Sequence, residues 1–235
     1  MRCGVPATTR VGATWRAKAP ETPACSHWCS IQAPSCRPAS PTAWCRSYPA
    51  DYFSAARASY YEISTAGHNS VLVGGKGQVF NKDGALRGPF EGPNYTAFTG
   101  VADGTYEVST ARARRTVVFV DRRYYVLLDD VTPATAQPIE LRFHSYGTIA
   151  ARPQRGGWTV TQSDSAVDVV PADPALLNGT IESPSGWIRS VNLLRLANPQ
   201  PLRGLTLATA IIPRTRGLAT YPQVTQEDRG TEFRV

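Results

Sequence analysis

The strongest folding signal in this chain is RTVVFVDRRYYVLLDD, residues 115–130. A run rich in β-branched and aromatic residues extends from Arg115 to Val120, and a second such run extends from Tyr124 to Leu128. The charged triplet Asp121-Arg122-Arg123 lies between them, in the place of a turn. The stretch therefore predicts a β-hairpin and points to sheet as the basis of the fold.

Shorter runs of the same kind recur on both sides of the hairpin, separated by Gly, Pro and Asp at intervals of about 8–12 residues. No window of the chain carries a sustained helical stripe of apolar residues. Residues 48–235 are therefore predicted to form an all-β domain, an antiparallel β-sandwich. The other predicted strands are residues 71–73, 78–80, 105–109, 139–144, 158–161, 166–170, 187–196 and 204–212, and residues 221–235 are expected to fray or to form an edge strand.

The composition of the chain changes abruptly near residue 47. All five cysteines lie in residues 1–46, which contain no Leu, Phe, Tyr, Asp or Asn. A stretch so poor in large apolar residues cannot offset its conformational entropy by burial, so residues 1–47 are predicted to be disordered. An alternative hypothesis is translation out of frame from a G+C-rich gene, because such translation enriches Cys, Trp, Arg, Pro, Ser and Ala. Reading the coding DNA in its other two frames would test it.

The net charge of +7 is concentrated in this first segment. Residues 1–46 hold six basic residues and one acidic residue, whereas residues 47–235 hold 19 basic and 17 acidic residues. The predicted domain is therefore nearly neutral, and we expect no nucleic-acid partner. No secretory signal follows Met1 and no apolar run is long enough to span a membrane, so we expect no membrane span.

A second motif lies upstream of the hairpin, in residues 67–78. Gly67-His68-Asn69-Ser70-Val71-Leu72-Val73, followed by Gly77-Gln78, resembles a segment of the heparinase II/III-like polysaccharide lyases. The hairpin and the following Phe143-His144 resemble a later part of the same domain. The resemblance extends over residues 48–215.

The resemblance implies a fold and an activity. Members of this family join an α-helical toroid to a C-terminal β-sandwich and cleave acidic polysaccharides, such as heparan-type glycosaminoglycans or alginate, by β-elimination. Such cleavage needs a base for the C5 proton and an acid for the leaving oxygen, and Tyr and His can serve. Because these groups come mainly from the helical domain, the chain is predicted to contain no catalytic residue and to be inactive alone. The resemblance also implies a periplasmic or extracellular location.

The resemblance assigns a metal role to His68. In several members, the matching histidine helps to bind a structural zinc with another His and an Asp from an upstream segment. Here the upstream region is residues 1–46, which contain no Asp and only one histidine, His27. Since structural zinc needs three or four protein ligands, zinc is not expected to be held by this chain alone. The alternative is that His68 lies at a turn and bonds to the backbone.

Several other groups have both a structural and a functional interpretation. Arg112, Arg114, Arg115, Arg122 and Arg123 are candidates for binding an acidic polysaccharide, although the favoured interpretation is a charged hairpin edge exposed to solvent. His144 and Asn69 are expected to be structural, with the Asn69 side chain bonded to its own backbone. Tyr60, Tyr61, Tyr124 and Tyr125 are expected in the core and at its rim. Gly74-Gly75-Lys76-Gly77 is expected to form a hairpin turn.

Two further functions are compatible with the sequence. The domain could be a non-catalytic carbohydrate-binding sandwich, or a structural domain that docks on a missing or separately encoded helical toroid. The first alternative predicts retained glycan binding that depends on the arginines. The second predicts an exposed apolar patch.

Overall fold

The computed structural model describes residues 61–79, 82–152, 156–185 and 190–214, and the backbone of residues 227–228 and 233–234. The described residues form strands and three short 3₁₀ turns, at Tyr61–Ile63, Thr65–Gly67 and Pro174–Leu176. The prediction of an all-β, antiparallel sandwich is confirmed. The predictions for residues 1–47 fall outside the described residues. Within the described ranges, no helix is long and apolar enough to cross a membrane.

The larger sheet has eight antiparallel strands in the order β2-β3-β4-β5-β12-β9-β8-β7. Its central hairpin, β4 and β5, pairs Val117 with Leu127 and Phe119 with Tyr125. The strands are β2 (Ala85–Gly92), β3 (Tyr95–Val101), β4 (Thr110–Val120), β5 (Tyr124–Pro133), β7 (Thr148–Ala151), β8 (Trp158–Gln162), β9 (Ser165–Pro171) and β12 (Leu205–Pro213).

The smaller sheet has four antiparallel strands in the order β1-β6-β11-β10. These are β1 (Val71–Val73), β6 (Ile139–Ser145), β10 (Asn178–Glu182) and β11 (Asn192–Ala197). Two further short strands, β13 (Glu227–Asp228) and β14 (Phe233–Arg234), pair with each other.

The core lies between the two sheets. Ile139, Leu141 and Leu194 of the smaller sheet are fully buried and form one cluster with Val131 and Leu207 of the larger sheet. Successive side chains of a strand alternate between its two faces. In β6, Ile139 and Leu141 therefore lie on the inner face, and Glu140, Arg142 and His144 lie on the outer face. The alternation in residues 139–144 therefore specifies both the core and the polar outer face of β6.

The larger sheet extends beyond the smaller one on the side of β2 and β3. Edge strand β1 packs over β4 and β5, since Val71 shares the core cluster with Ala113 and Val131. Beyond it, the inner face of the larger sheet carries exposed apolar side chains. Leu86, Phe98 and Tyr125 are 56%, 40% and 41% exposed. We call Leu86 and Phe98, with Val117, the apolar shelf; an exposed apolar patch of this kind is what the docking alternative predicts.

The structure corrects several strand predictions. The hairpin is longer than predicted, and β2, β3, β7 and β10 were not predicted at all. Residues 105–109 do not form a strand: Tyr106 makes only an isolated bridge to Gln78 and donates from its hydroxyl to the Val71 carbonyl, 3.0 Å away. The Gly-rich turn is confirmed, because Gly74 and Gly75 have φ of 62° and 71° and Val73 pairs with Lys76 across them.

Candidate functional site

His68 follows the 3₁₀ turn Thr65–Gly67, which is capped by Ser64. The Ser64 hydroxyl oxygen accepts from the Gly67 amide at 3.2 Å, and His68 Nδ1 lies 2.7 Å from the Ser64 carbonyl oxygen. A carbonyl can only accept, so Nδ1 carries the proton and donates. This leaves Nε2 as the ring nitrogen with a lone pair, on a side chain that is exposed. The expectation that His68 bonds to the backbone is confirmed.

Asn69 links both sheets to the His68 loop. Its side-chain Oδ1 accepts from the His144 amide of β6 at 2.7 Å, and its backbone carbonyl accepts from Arg115 Nη1 of β4 at 2.6 Å. The prediction that the Asn69 side chain bonds to its own backbone is wrong: its partner lies 75 residues away. The loop is therefore held at two points, one on each sheet.

Arg115 is itself oriented by a buried carboxylate. Its Nε and Nη2 donate to the two oxygens of Asp129 at 2.7 and 3.0 Å, and Asp129 is 0% exposed. A two-bond fork of this kind fixes the plane of the guanidinium. The contact with Asn69 uses the third nitrogen of the same group. Arg115 therefore lies inside a structural network rather than on an open surface.

A second network covers the outer face of the smaller sheet. The Tyr61 hydroxyl accepts from Arg142 Nη2 at 2.7 Å and lies 2.9 Å from His144 Nε2. Because the Tyr61 oxygen already accepts from Arg142, the Tyr61 hydroxyl donates its proton to His144 Nε2. The His144 ring therefore carries its own proton on Nδ1, which lies 3.3 Å from Asn69 Oδ1. Burial, with the charges of Arg142 and His68, lowers the pKa of His144 to about 4. The ring is therefore neutral at pH 7.

Charged residues continue this network along the outer face. Glu140, which is 7% exposed, pairs with Arg142 through one oxygen and with Arg195 Nε at 2.6 Å through the other. Arg195 also lies 3.9 Å from Glu182. Two arginines and two glutamates thus neutralise one another across β6, β11 and β10. This arrangement fits a structural network better than an anion site.

The remaining candidate arginines fall into two groups. Arg112 pairs with Asp130 at 2.9 Å, and Arg114 pairs with Asp103 at 2.6 Å. The Arg114 hydrogen bond lowers the pKa of Asp103, so both members of that pair are charged at neutral pH. Arg122 and Arg123 lie at the exposed tip of the β4–β5 hairpin, and no carboxylate of the described residues pairs with them.

A cleft of about 690 Å³ lies on the inner side of the Asn69 loop. Asn69, Gln78, Tyr106 and Arg115 are among the residues that line it. Burial raises the pKa of Tyr106 to about 12, so its hydroxyl stays protonated and keeps its bond to Val71. Arg114, Arg115 and Asp129, which also line the cleft, are bound in ion pairs, and the cleft continues into the core at Val131.

The described residues do not supply a complete metal site. No group of three His, Cys, Asp or Glu side chains in the described ranges is arranged to hold an ion. His68 fits the role of one ligand, because a backbone bond at Nδ1 is the usual way to orient an imidazole whose Nε2 binds a metal. Structural zinc needs three or four protein ligands, so the described residues alone do not fit zinc.

Sequence reasoning did not find the partners of these residues. Tyr61, Asp129, Glu140 and Arg142 were not singled out as parts of a site, although they hold Arg115 and His144 in place. The sequence feature that could have pointed to the network on the smaller sheet is the alternation of residues 139–144, which places three polar side chains on one face of β6. Their partners come from segments up to 83 residues away.

Solved structures similar to this one include proteins named as heparinase III and as heparan sulfate lyase. They include "Heparinase III-BT4657 gene product", with a TM-score of 0.53 and 18% identity over 64% of this chain and 24% of that one. They also include heparan sulfate lyase HepC from Pedobacter heparinus, with a TM-score of 0.51 and 12% identity over 70% of this chain and 26% of that one. At such low identity the likeness establishes the fold alone. The chain spans about a quarter of the length of these relatives.

The search of curated proteins found no match. A family model, Heparinase II/III-like, C-terminal, matches residues 49–199. The match covers more than half of the chain, includes the His68 loop and the β4–β5 hairpin, and begins two residues after the compositional break. The chain therefore belongs to the Heparinase II/III-like, C-terminal family.

Proposed function

We propose that this chain is the β-sandwich part of a polysaccharide lyase that cleaves uronic-acid-containing polysaccharides by β-elimination. The family match over residues 49–199 carries the proposal. The similar solved structures are named as heparinase and heparan sulfate lyase, which favours a heparan-type substrate; alginate remains a second substrate class.

The chain is expected to be inactive alone. The matched part of this chain covers only 24% of the length of a solved relative, so most of such a protein has no counterpart in the match. Tyr61 and His144 have the residue types needed for proton transfer, but Arg142 and Asn69 already engage the hydroxyl and the ring. We assign that pair a structural role and propose no catalytic residue in this chain.

An eliminative assay tests this directly. The folded chain is incubated with heparan sulfate, heparin or alginate, and the unsaturated product is followed by its ultraviolet absorbance. We expect no increase, while a heparinase III run in parallel gives one and a cooperative thermal transition shows that the chain is folded. Sustained turnover by the chain would contradict the proposal.

His68 is proposed as one zinc ligand in the intact protein. Its pinned Nδ1 and available Nε2 support this role, and the other ligands would come from outside the described residues. The chain alone is then expected to retain no stoichiometric zinc after dialysis. Zinc bound at one equivalent, and lost in His68→Gln, would show that this chain supplies a whole site.

A helical domain, missing or separately encoded, is the proposed partner. The apolar shelf supports this proposal, since exposed Leu86 and Phe98 are costly to leave in water. Reading the DNA upstream of the gene for a helical toroid tests it, and co-expression of such a chain should yield a stable complex. If no upstream toroid is found and no complex forms, the docking role is excluded.

A non-catalytic carbohydrate-binding sandwich is the second candidate function. The observation that favours it is the contrast among the arginines. Arg112, Arg114 and Arg115 are paired with aspartates, whereas Arg122 and Arg123 have no acidic partner in the described part of the chain. An acidic glycan could therefore bind these two charges without displacing a carboxylate of the described residues.

A further inference from the structure

The tip of the β4–β5 hairpin has an unusual backbone for its sequence. Asp121 and Arg122 have φ of 49° and 55°, and the Arg123 amide donates to the Val120 carbonyl at 2.9 Å. Two successive residues in the left-handed conformation, flanked by residues that share this hydrogen bond, form a type I′ turn. Such turns favour Asn-Gly or Asp-Gly, because glycine has no Cβ to strain. The chain keeps Asp at the first position but has Arg where glycine would be preferred.

The side chains of the tip are exposed cations. Arg122 and Arg123 are both exposed and form no ion pair with a described carboxylate. Asp121 is the acid of the same turn, so the tip carries one net positive charge. A strained backbone position that holds an unpaired charge points to a role outside folding.

An aromatic surface begins one residue pair below the tip. Phe119 and Tyr125 lie opposite each other in the register, with ring centroids 4.6 Å apart and planes at 17°. The register of β3 places Phe98 beside Val117 on the same face. Tyr125 and Phe98 are 41% and 40% exposed. A strand rises about 3.3 Å per residue, so Arg122 lies within about 10 Å of the Tyr125 backbone, within reach of a long side chain.

We propose that this corner, Arg122, Arg123 and Tyr125, is a binding subsite for an acidic residue of a polysaccharide. One face of the sugar ring packs on Tyr125, which offers a flat apolar surface with a polar hydroxyl. The carboxylate or sulfate group is bound by the guanidinium of Arg122, whose planar donors match such groups, and the charge of Arg123 lies beside it. The choice of an acidic polysaccharide as ligand rests on the function proposed above. The position of the site is argued from the turn, the arginines and the aromatic pair of the hairpin.

Arg122→Gly gives a test in which binding and stability move in opposite directions. Glycine relaxes the turn, so the melting temperature of the full chain should rise. Loss of one charge-assisted contact should weaken binding of a heparan sulfate oligosaccharide about tenfold, measured by calorimetry at fixed ionic strength. Arg112→Gln is the matched control, since Arg112 pairs with Asp130 away from the tip, and it should leave affinity unchanged.

Tyr125 is tested separately from the charges. Tyr125→Thr keeps a strand-forming residue but removes the ring, and it should weaken binding, while Tyr125→Phe should retain most of it. Arg122→Gly binding as tightly as the wild type would overturn the proposal. So would equal affinity for dextran sulfate with no effect of Tyr125→Thr, because charge attraction alone would then explain binding.

The result of the binding experiment does not depend on whether the parent protein is a lyase. Binding is measured without turnover, so a parent protein that proves not to be a lyase leaves these affinities interpretable. A parent that cleaves heparan sulfate while the full chain binds no acidic oligosaccharide would exclude the subsite and leave the lyase intact. Burial of the corner by a protein partner would likewise overturn it.

Discussion

Asp129 orients Arg115, whose third nitrogen binds the backbone of the Asn69 loop. It is fully buried, and both of its oxygens bind Arg115, whose side chain is 20% exposed. Removing one partner of a buried pair leaves the other charge without compensation. We expect Asp129→Ala to lower the free energy of unfolding by about 3–5 kcal/mol, measured by urea denaturation.

Asp130, the next residue on β5, provides the control. It pairs with Arg112 on the outer face, where the two side chains are 31% and 50% exposed. Exposed pairs contribute little, so Asp130→Ala should cost about 0–1 kcal/mol. Equal effects of the two substitutions would show that the Asp129 pair contributes no more than a surface contact.

His144 makes stability depend on pH. Its pKa is about 4 in the folded chain, through burial and the charges of Arg142 and His68, against about 6.5 when unfolded. The unfolded state therefore binds a proton first as the pH falls. The stabilisation is complete above about pH 6.5 and is lost between pH 6.5 and 4.

We therefore expect His144→Gln to flatten the fall in melting temperature between pH 7 and pH 4.5. His68→Gln should flatten it only in part, because burial is a larger cause of the low pKa of His144 than the charge of His68. Parallel curves for the wild type and His144→Gln would mean that another group causes the acid sensitivity.

At the scale of elements, the edge strand β10 depends on one close contact. A Cβ at Gly179 would overlap the indole ring of Trp158 on β8, so β10 can cover the larger sheet only with glycine there. Gly179→Ala should cost about 1–3 kcal/mol, the usual range for overpacking. Amide exchange in residues 178–182 should rise with it.

Gly100 of β3 is the matched glycine. Its added Cβ would meet only the Arg115 carbonyl oxygen, at an ordinary 3.8 Å. Gly100→Ala should therefore be neutral or stabilise by about 0.4–1 kcal/mol. Destabilisation by both substitutions to the same extent would exclude the Trp158 contact as the cause.

Elements with strong alternation could be predicted from sequence, and others could not. The β4–β5 hairpin carries long runs of β-branched and aromatic residues, and β6 alternates cleanly between apolar and polar residues. β2 contains Gly88 and Pro89, where its register with β3 shifts, and all five residues of β10 are exposed. Edge strands such as these bury little, so their sequences carry little of the hydrophobic pattern on which prediction depends. The partners of Asn69 and His144 were unpredictable because they come from distant segments.

For the whole molecule, the boundary at residue 47 stays a prediction; the family match begins two residues after it, at residue 49. A chain that starts at residue 48 is expected to unfold with the same midpoint and the same urea dependence as the full chain, since residues 1–47 are not expected to join the sandwich. Urea denaturation of both chains measures this. A midpoint that falls when residues 1–47 are removed would show that they stabilise the fold.

The position of β12 has a consequence for how the protein is made. β12 lies between β5 and β9 in the larger sheet, yet residues 205–213 follow every other strand of the two main sheets in the chain. During synthesis, β2–β5 and β7–β9 must leave the ribosome as two half-sheets, each with an open edge. The last strand to emerge joins them, so the nascent chain cannot close its sheet until translation has passed residue 213. Until then both open edges could pair with another chain.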